Sequence, residues 1–168
     1  MANTTFSGPV RSESTIKTIS KNATSGTITE VVTFGDGPIS LSDGDVTLTN
    51  ATHSGRILLV PDGGQDNTYT LPAPIAGSMF RFVYAGGAAD ATDALILTPG
   101  NSNFYIGGIT HLDTNADNVT VFSNGISNSS VQLNVPQAFD ITIVGKDTTN
   151  YQIFGTVTST TVPAFADQ

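Results

Sequence analysis

A chain of 168 residues is long enough for one hydrophobic core and gives no reason to expect two. Charged residues make up only 12% of it, while Thr (25), Ser (15) and Asn (12) abound, so hydroxyls and amides rather than ion pairs solvate its surface. The net charge of −8 is carried by the body: residues 31 to 168 hold three basic and twelve acidic side chains, which argues against nucleic acid as a partner.

With no cysteine there is neither a disulfide framework nor a thiolate metal site. The start, residues 1 to 14, lacks a basic stretch followed by an apolar one, and no window approaches the ~18 apolar residues of a membrane span. The expected product is cytosolic at birth, with no membrane partner.

Residues 1 to 26 are polar and without apolar periodicity, broken at Gly8-Pro9 and carrying only Phe6, Val10, Ile16 and Ile19 as apolar anchors. They are expected to form an extended arm. Residues 1 to 30 carry Arg11, Lys17 and Lys21 against Glu13 and Glu30, so this end is near neutral where the body is acidic.

From Thr27 onward, short β-type segments succeed one another: 27–34, 45–49, 56–60, 69–71, 79–84, 94–97, 104–106, 119–122, 131–135, 139–144 and 151–157. Gly, Pro, Asn or Asp closes each. This spacing, with no helical pattern between, predicts an all-β domain over 27–168: an antiparallel β-sandwich, jelly-roll-like, preceded by the arm. In 131–135 the residues Val131, Leu133 and Val135 are expected on one face, and in 139–144 Phe139, Ile141 and Ile143 likewise.

Two segments, 57–60 and 79–84, are apolar on both faces apart from Arg81, which suits central strands or strands meeting a neighbouring subunit. Ile57, Leu59, Phe80, Phe82 and Tyr84 are therefore the candidate oligomer interface. Asp62 to Asn67 and Ala85 to Asp90 are small-residue stretches expected as surface loops, and Gly107-Gly108 as a turn or bulge.

Catalysis needs converging titratable groups, and the stock of two His, two Glu and twelve Asp, the Asp mostly in turns, is thin. No catalytic residue, cofactor or metal ligand is assigned, and the protein is expected not to be an enzyme. His53 falls in a polar turn and His111 at a strand end, and both are expected at the surface. Asp113 to Asn118 starts like a calcium loop but has Asn118 where the glycine belongs and Asn124 where the bidentate Glu belongs, and Asp43-Gly44-Asp45 is weaker still.

The opening Met1-Ala2-Asn3-Thr4-Thr5-Phe6-Ser7-Gly8-Pro9-Val10-Arg11-Ser12 resembles the amino end of small virion structural proteins of marine tailed phages, cyanophage-like podoviruses in particular. Tyr69 to Phe82, with its Leu-Pro-x-Pro-x-x-Gly phrase before an apolar strand, is similar to a strand-turn-strand phrase of phage surface and fibre domains, and Tyr105 to Ile109 is its companion. The resemblance covers about 26 residues directly. It implies a capsid decoration or cement protein, often trimeric, seated on the outer surface of the virion shell and made in the host bacterial cytoplasm.

The implied partners are the major capsid protein and further copies of the chain. An arm carrying Arg11, Lys17 and Lys21 suits acidic shell subunits, with Phe6, Val10, Ile16 and Ile19 as anchors, and a trimer would add avidity. The alternative is a glycan- or receptor-binding module of the tail-fibre or adhesin type, with host-surface glycan as partner and Phe104 and Tyr105 near Asn101 and Asn103 as its best candidates. Against it stand the absence of Trp and the placement of Tyr69, Tyr84, Tyr105 and Tyr151 in strand patterns. A hydrolase would need a converging carboxylate pair, and no spacing singles one out.

Overall fold

The computed structural model describes residues 18–31, 37–87, 92–113 and 118–168. The chain divides into two compact units, Met1–Gly37 and Pro38–Gln168.

In the first unit, β1 (Thr18–Lys21) and β2 (Ile28–Val31) form an antiparallel hairpin with Lys21 opposite Ile28. Asn22 builds the turn: its Oδ1 accepts from the backbone N–H groups of Thr24 (2.8 Å) and Ser25 (3.0 Å), and Gly26 follows at φ +72°, a conformation glycine adopts without steric cost. The hairpin spans the position where the sequence suggests a boundary between arm and domain, at residue 26, and contains Ile19 and Lys21 of the expected arm.

The second unit is a β-sandwich of two sheets. One holds seven strands in the order β10-β9-β13-β12-β7-β5-β3 and the other five in the order β14-β11-β8-β6-β4. In chain order these are β3 (Ile39–Ser40), β4 (Val46–Thr47), β5 (Arg56–Val60), β6 (Asn67–Thr70), β7 (Met79–Tyr84), β8 (Ala94–Leu97), β9 (Phe104–Asp113), β10 (Val119–Phe122), β11 (Ser130–Leu133), β12 (Ala138–Gly145), β13 (Asn150–Ser159) and β14 (Ala164–Ala166). One helical turn, α1 (Asn50–His53), precedes β5, capped by Thr49, whose hydroxyl accepts from the Thr52 N–H.

The sheets are mixed, which departs from the antiparallel, jelly-roll-like expectation. From β3 to β8 each successive strand lies in the opposite sheet, so same-sheet neighbours (β3 with β5, β5 with β7, β4 with β6, β6 with β8) run parallel. The chain thus winds through this half like a coil, laying one strand in each layer per turn. The second half is built of hairpins, β9 with β10 and β12 with β13, and β13 pairs in parallel with β9.

Alternation fixes the core. Leu58, Val60, Phe80, Phe82, Tyr105, Ile109, Ile141, Ile143, Tyr151 and Ile153 point inward from the larger sheet and Tyr69, Ile96, Val131 and Leu133 from the smaller, all at most 1% exposed. Burying each such side chain contributes about 1.5–3 kcal/mol. Aromatic rings link the layers: Tyr69 lies against Phe82 (6.0 Å between centroids) and Tyr105 against Phe165 (6.2 Å). Two buried phenols are satisfied by carbonyls, Tyr105 donating to that of Ile96 (3.2 Å) and Tyr151 to that of Pro72 (2.8 Å), and burial raises the pKa of both.

Three local expectations are corrected. Val135 does not continue the inward face of Val131 and Leu133; β11 ends at Leu133, and Val135 sits at φ +40° and 40% exposed. Gly107-Gly108 is not a turn, because β9 runs through it. A Cβ at Gly107 would strike the Ile153 carbonyl and one at Gly108 the Val121 carbonyl, so the glycines let β13 and β10 close on β9 from either side. His111 is not at the surface: it is fully buried on β9 with Nε2 3.1 Å from both the carbonyl and the hydroxyl of Ser159. The Ser159 hydroxyl donates to the Thr161 carbonyl (2.7 Å), so the histidine N–H is on Nε2.

Candidate functional site: the outward face of the larger sheet

The face of the seven-stranded sheet turned away from the core is set by the same alternation, and strand register arranges it in rows. One row runs Thr120, Thr110, Thr156, Asp140, Val83, Leu59 across β10, β9, β13, β12, β7 and β5. The adjacent row runs Phe122, Gly108, Phe154, Thr142, Arg81, Ile57 over the same strands. Phe122 is 68% exposed, Phe154 50% and Ile57 39%.

At the middle of this face lies an open depression of about 530 Å³ lined by Met79, Arg81, Asp140, Thr142, Phe154, Gly155 and Thr156. Arg81 and Asp140, on neighbouring strands, form a bidentate pair: Nε donates to Oδ1 at 2.8 Å and Nη2 to Oδ2 at 2.5 Å. Both side chains are nearly half exposed, at 43% and 44%. The hydrogen bonds from Arg81 hold the Asp140 carboxyl below its ordinary range, and the same contact raises the Arg81 pKa. The pair is fixed in the plane of two strands and neutral as a unit, with guanidinium N–H groups left over to donate outward.

Of the expected interface residues, Phe80 and Phe82 are fully buried inside the sandwich and therefore cannot meet a neighbouring subunit. Tyr84 packs against the core, its ring 5.6 Å from that of Phe139. Ile57 and Leu59 stand on the outward face, because the inward positions of β5 are Leu58 and Val60. Phe6, Val10, Arg11, Ile16 and Lys17 lie outside the described residues, and Ile19 and Lys21 occupy β1.

Of the residues expected to serve a glycan site, Phe104 is half-buried and the other three are engaged in the fold. Tyr105 is fully buried, Asn103 donates to the Thr149 carbonyl (3.2 Å), and Asn101 both accepts from the Gln168 backbone N–H (3.1 Å) and donates to the Gln168 carbonyl (2.8 Å). The turn aspartates tie loops together: Asp43 accepts from the Gly64 N–H (3.0 Å), Asp45 from the Thr68 N–H (3.0 Å) and Asp66 from the Asp93 N–H (3.0 Å). His53 lies at the end of α1, its Nδ1 accepting from the Thr49 N–H at 3.0 Å.

Among the described residues no group of three or more His, Asp or Glu could hold a metal ion, and no helix is long and apolar enough to cross a membrane. The exposed Phe154 and Phe122 were not singled out by composition. The signal was present in Tyr151 to Val157, where inward Tyr151, Ile153 and Val157 leave Phe154 on the other face. No protein family matches the chain, and no curated protein matches it in sequence.

Proposed function

We propose that the chain is a non-enzymatic virion structural protein that decorates and stabilises the outer surface of a bacteriophage capsid, held to the major capsid protein by its N-terminal segment and assembled as a trimer. The observation that carries this reading is the division of labour along the chain. Residues from Ile39 to Phe165 form the core of the sandwich, so the second unit has a core of its own, and the first 37 residues are a separate compact unit, which supports their use in attachment. Their near-neutral charge, against the acidic remainder, supports a segment that lies on an acidic shell while the body is turned to solvent. The opening twelve residues, similar to those of marine phage virion proteins, support the same assignment. Ile57 and Leu59 are the outward residues offered to a neighbouring copy.

The test is rebinding to capsids stripped of the protein, with the mass in solution read by light scattering. The full chain should rebind as an oligomer, and a variant carrying Phe6→Ser, Val10→Ser and Ile16→Ser should keep its fold and lose the capsid. Equal rebinding of the two chains, or none by either, would remove this function.

A further inference from the structure

We propose that the depression between Phe154 and the Arg81–Asp140 pair is a binding subsite for a neutral saccharide, on which the phenyl ring stacks against the apolar face of a sugar ring while Arg81, Thr142 and Thr156 bond its hydroxyls. The site does not rest on the capsid reading and stands or falls separately from it.

The two adjacent rows of the sheet carry the case. The row of Thr120, Thr110 and Thr156 shows what these three strands present where solvation is the only demand, namely hydroxyls. One step along the same strands, the row presents Phe122, Gly108 and Phe154 instead, with half of Phe154 in water. The exposed half of this ring, in mid-sheet, contributes no burial to the fold. Beside the ring its cross-strand neighbour is Thr142, and the two line an open depression together with Met79, Arg81, Asp140 and Thr156.

The polar side of the depression is built to donate and accept without moving. Asp140 locks the guanidinium by two bonds, so Arg81 offers its remaining N–H groups in a fixed plane and loses little freedom on binding. Fixed coplanar donors and an acceptor carboxylate next to an aromatic ring match a molecule with one C–H face and a rim of hydroxyls. The charge of the pair is internally cancelled and the body is strongly acidic, so a neutral sugar fits and an anionic one is repelled.

The full chain should be titrated with mannohexaose, maltohexaose and the hexamer of N-acetylglucosamine, and with an alginate hexamer as the anionic probe, binding being read by saturation-transfer NMR. At least one neutral hexamer should bind with a dissociation constant on the order of 1 mM or tighter. Phe154→Ala should weaken it by about tenfold or more, and Arg81→Lys, which keeps the charge but loses the fork, by several-fold. Thermal unfolding of the same variants should stay cooperative with a midpoint within a few degrees of the parent's, and light scattering should give the parent's mass. Binding of none of the neutral hexamers at about 10 mM, binding of alginate alone, or affinity unchanged in Phe154→Ala would overturn the proposal. A fall in oligomer mass in Phe154→Ala would also overturn it, by making the face a contact between copies of the chain.

Discussion

Gly155 on β13 lies so close to Asp140 on β12 that a Cβ at position 155 would sit inside van der Waals contact of the Asp140 carbonyl oxygen, and its backbone is at φ +152°. The close approach is backbone against backbone, so no side chain can move aside. Gly155→Ala must separate β12 from β13 or strain the chain locally, and is expected to cost about 1–3 kcal/mol. Urea unfolding of the variant measures it; a loss below ~0.5 kcal/mol would mean that β12 and β13 part at no cost.

The ion pair beside that glycine gives a dependence on acid. Asp140 is held below its ordinary pKa by Arg81, so its contribution is complete above the ordinary carboxylate value and is lost as pH falls below it toward the folded-state value. Because both side chains are nearly half exposed, the contribution is small, about 0.5 kcal/mol. Asp147, held low by Asn150 and by the backbone N–H groups of Thr149 and Asn150, adds a component of the same sign. Comparing the parent with Asp140→Asn at about pH 6 and about pH 3 cancels the Asp147 part, and the difference between the proteins should shrink at the lower pH.

Alternation in the sequence is sufficient to place most of the core, because it reports which residues share a face. It does not report which strand comes next in the sheet, so the coil of parallel pairings from β3 to β8 was not legible, nor was the short β3 of two residues. His111 read as a surface residue because its type is polar. Its Nε2 is met by Ser159, 48 residues away in the chain, a partner that the local sequence does not announce. Phe80 and Phe82 were assigned to a subunit contact because β7 is apolar on both faces, and only the packing of the second sheet decides that they face inward.

That packing separates two kinds of substitution on adjoining strands. Phe82→Ala should cost about 3–5 kcal/mol, since the ring is fully buried and touches Tyr69 across the sandwich. Ile57→Ser, on the outward face at 39% exposure, should change stability by no more than about 1 kcal/mol. If Ile57 meets another copy of the chain, the serine variant should instead lower the mass in light scattering. Equal costs for the two substitutions would reverse the assignment of faces.

Val135 is the one non-glycine residue among those described with a positive φ, +40°, and it is β-branched, which makes the left-handed region especially unfavourable. Asp93 holds it there, accepting from the Val135 N–H (2.9 Å) and from the Gln132 side-chain amide (2.6 Å). With the side chain 40% exposed, little burial is lost on its removal. Val135→Gly is expected to raise stability by about 1 kcal/mol, visible as a higher urea midpoint with unchanged slope, whereas a fall would mean that the side chain contributes more than its conformation costs.

Gln168 closes the end of the sandwich where Thr98 and Ser129, both fully buried, lie. Its side-chain amide donates to the carbonyls of Thr98 (2.9 Å) and Ser129 (2.8 Å), while its backbone N–H donates to the Ser129 hydroxyl (2.9 Å). Gln168→Ala removes the donor from two carbonyls and should cost about 1–2 kcal/mol. Gln168→Glu keeps the shape but turns a carboxylate oxygen toward the same carbonyls, so at neutral pH it should cost more than alanine. Acidification through the ordinary Glu range restores a protonated oxygen that can donate, and part of the loss should then return. If the glutamate variant matched alanine at every pH, the side chain at 168 would be filling space rather than donating hydrogen bonds.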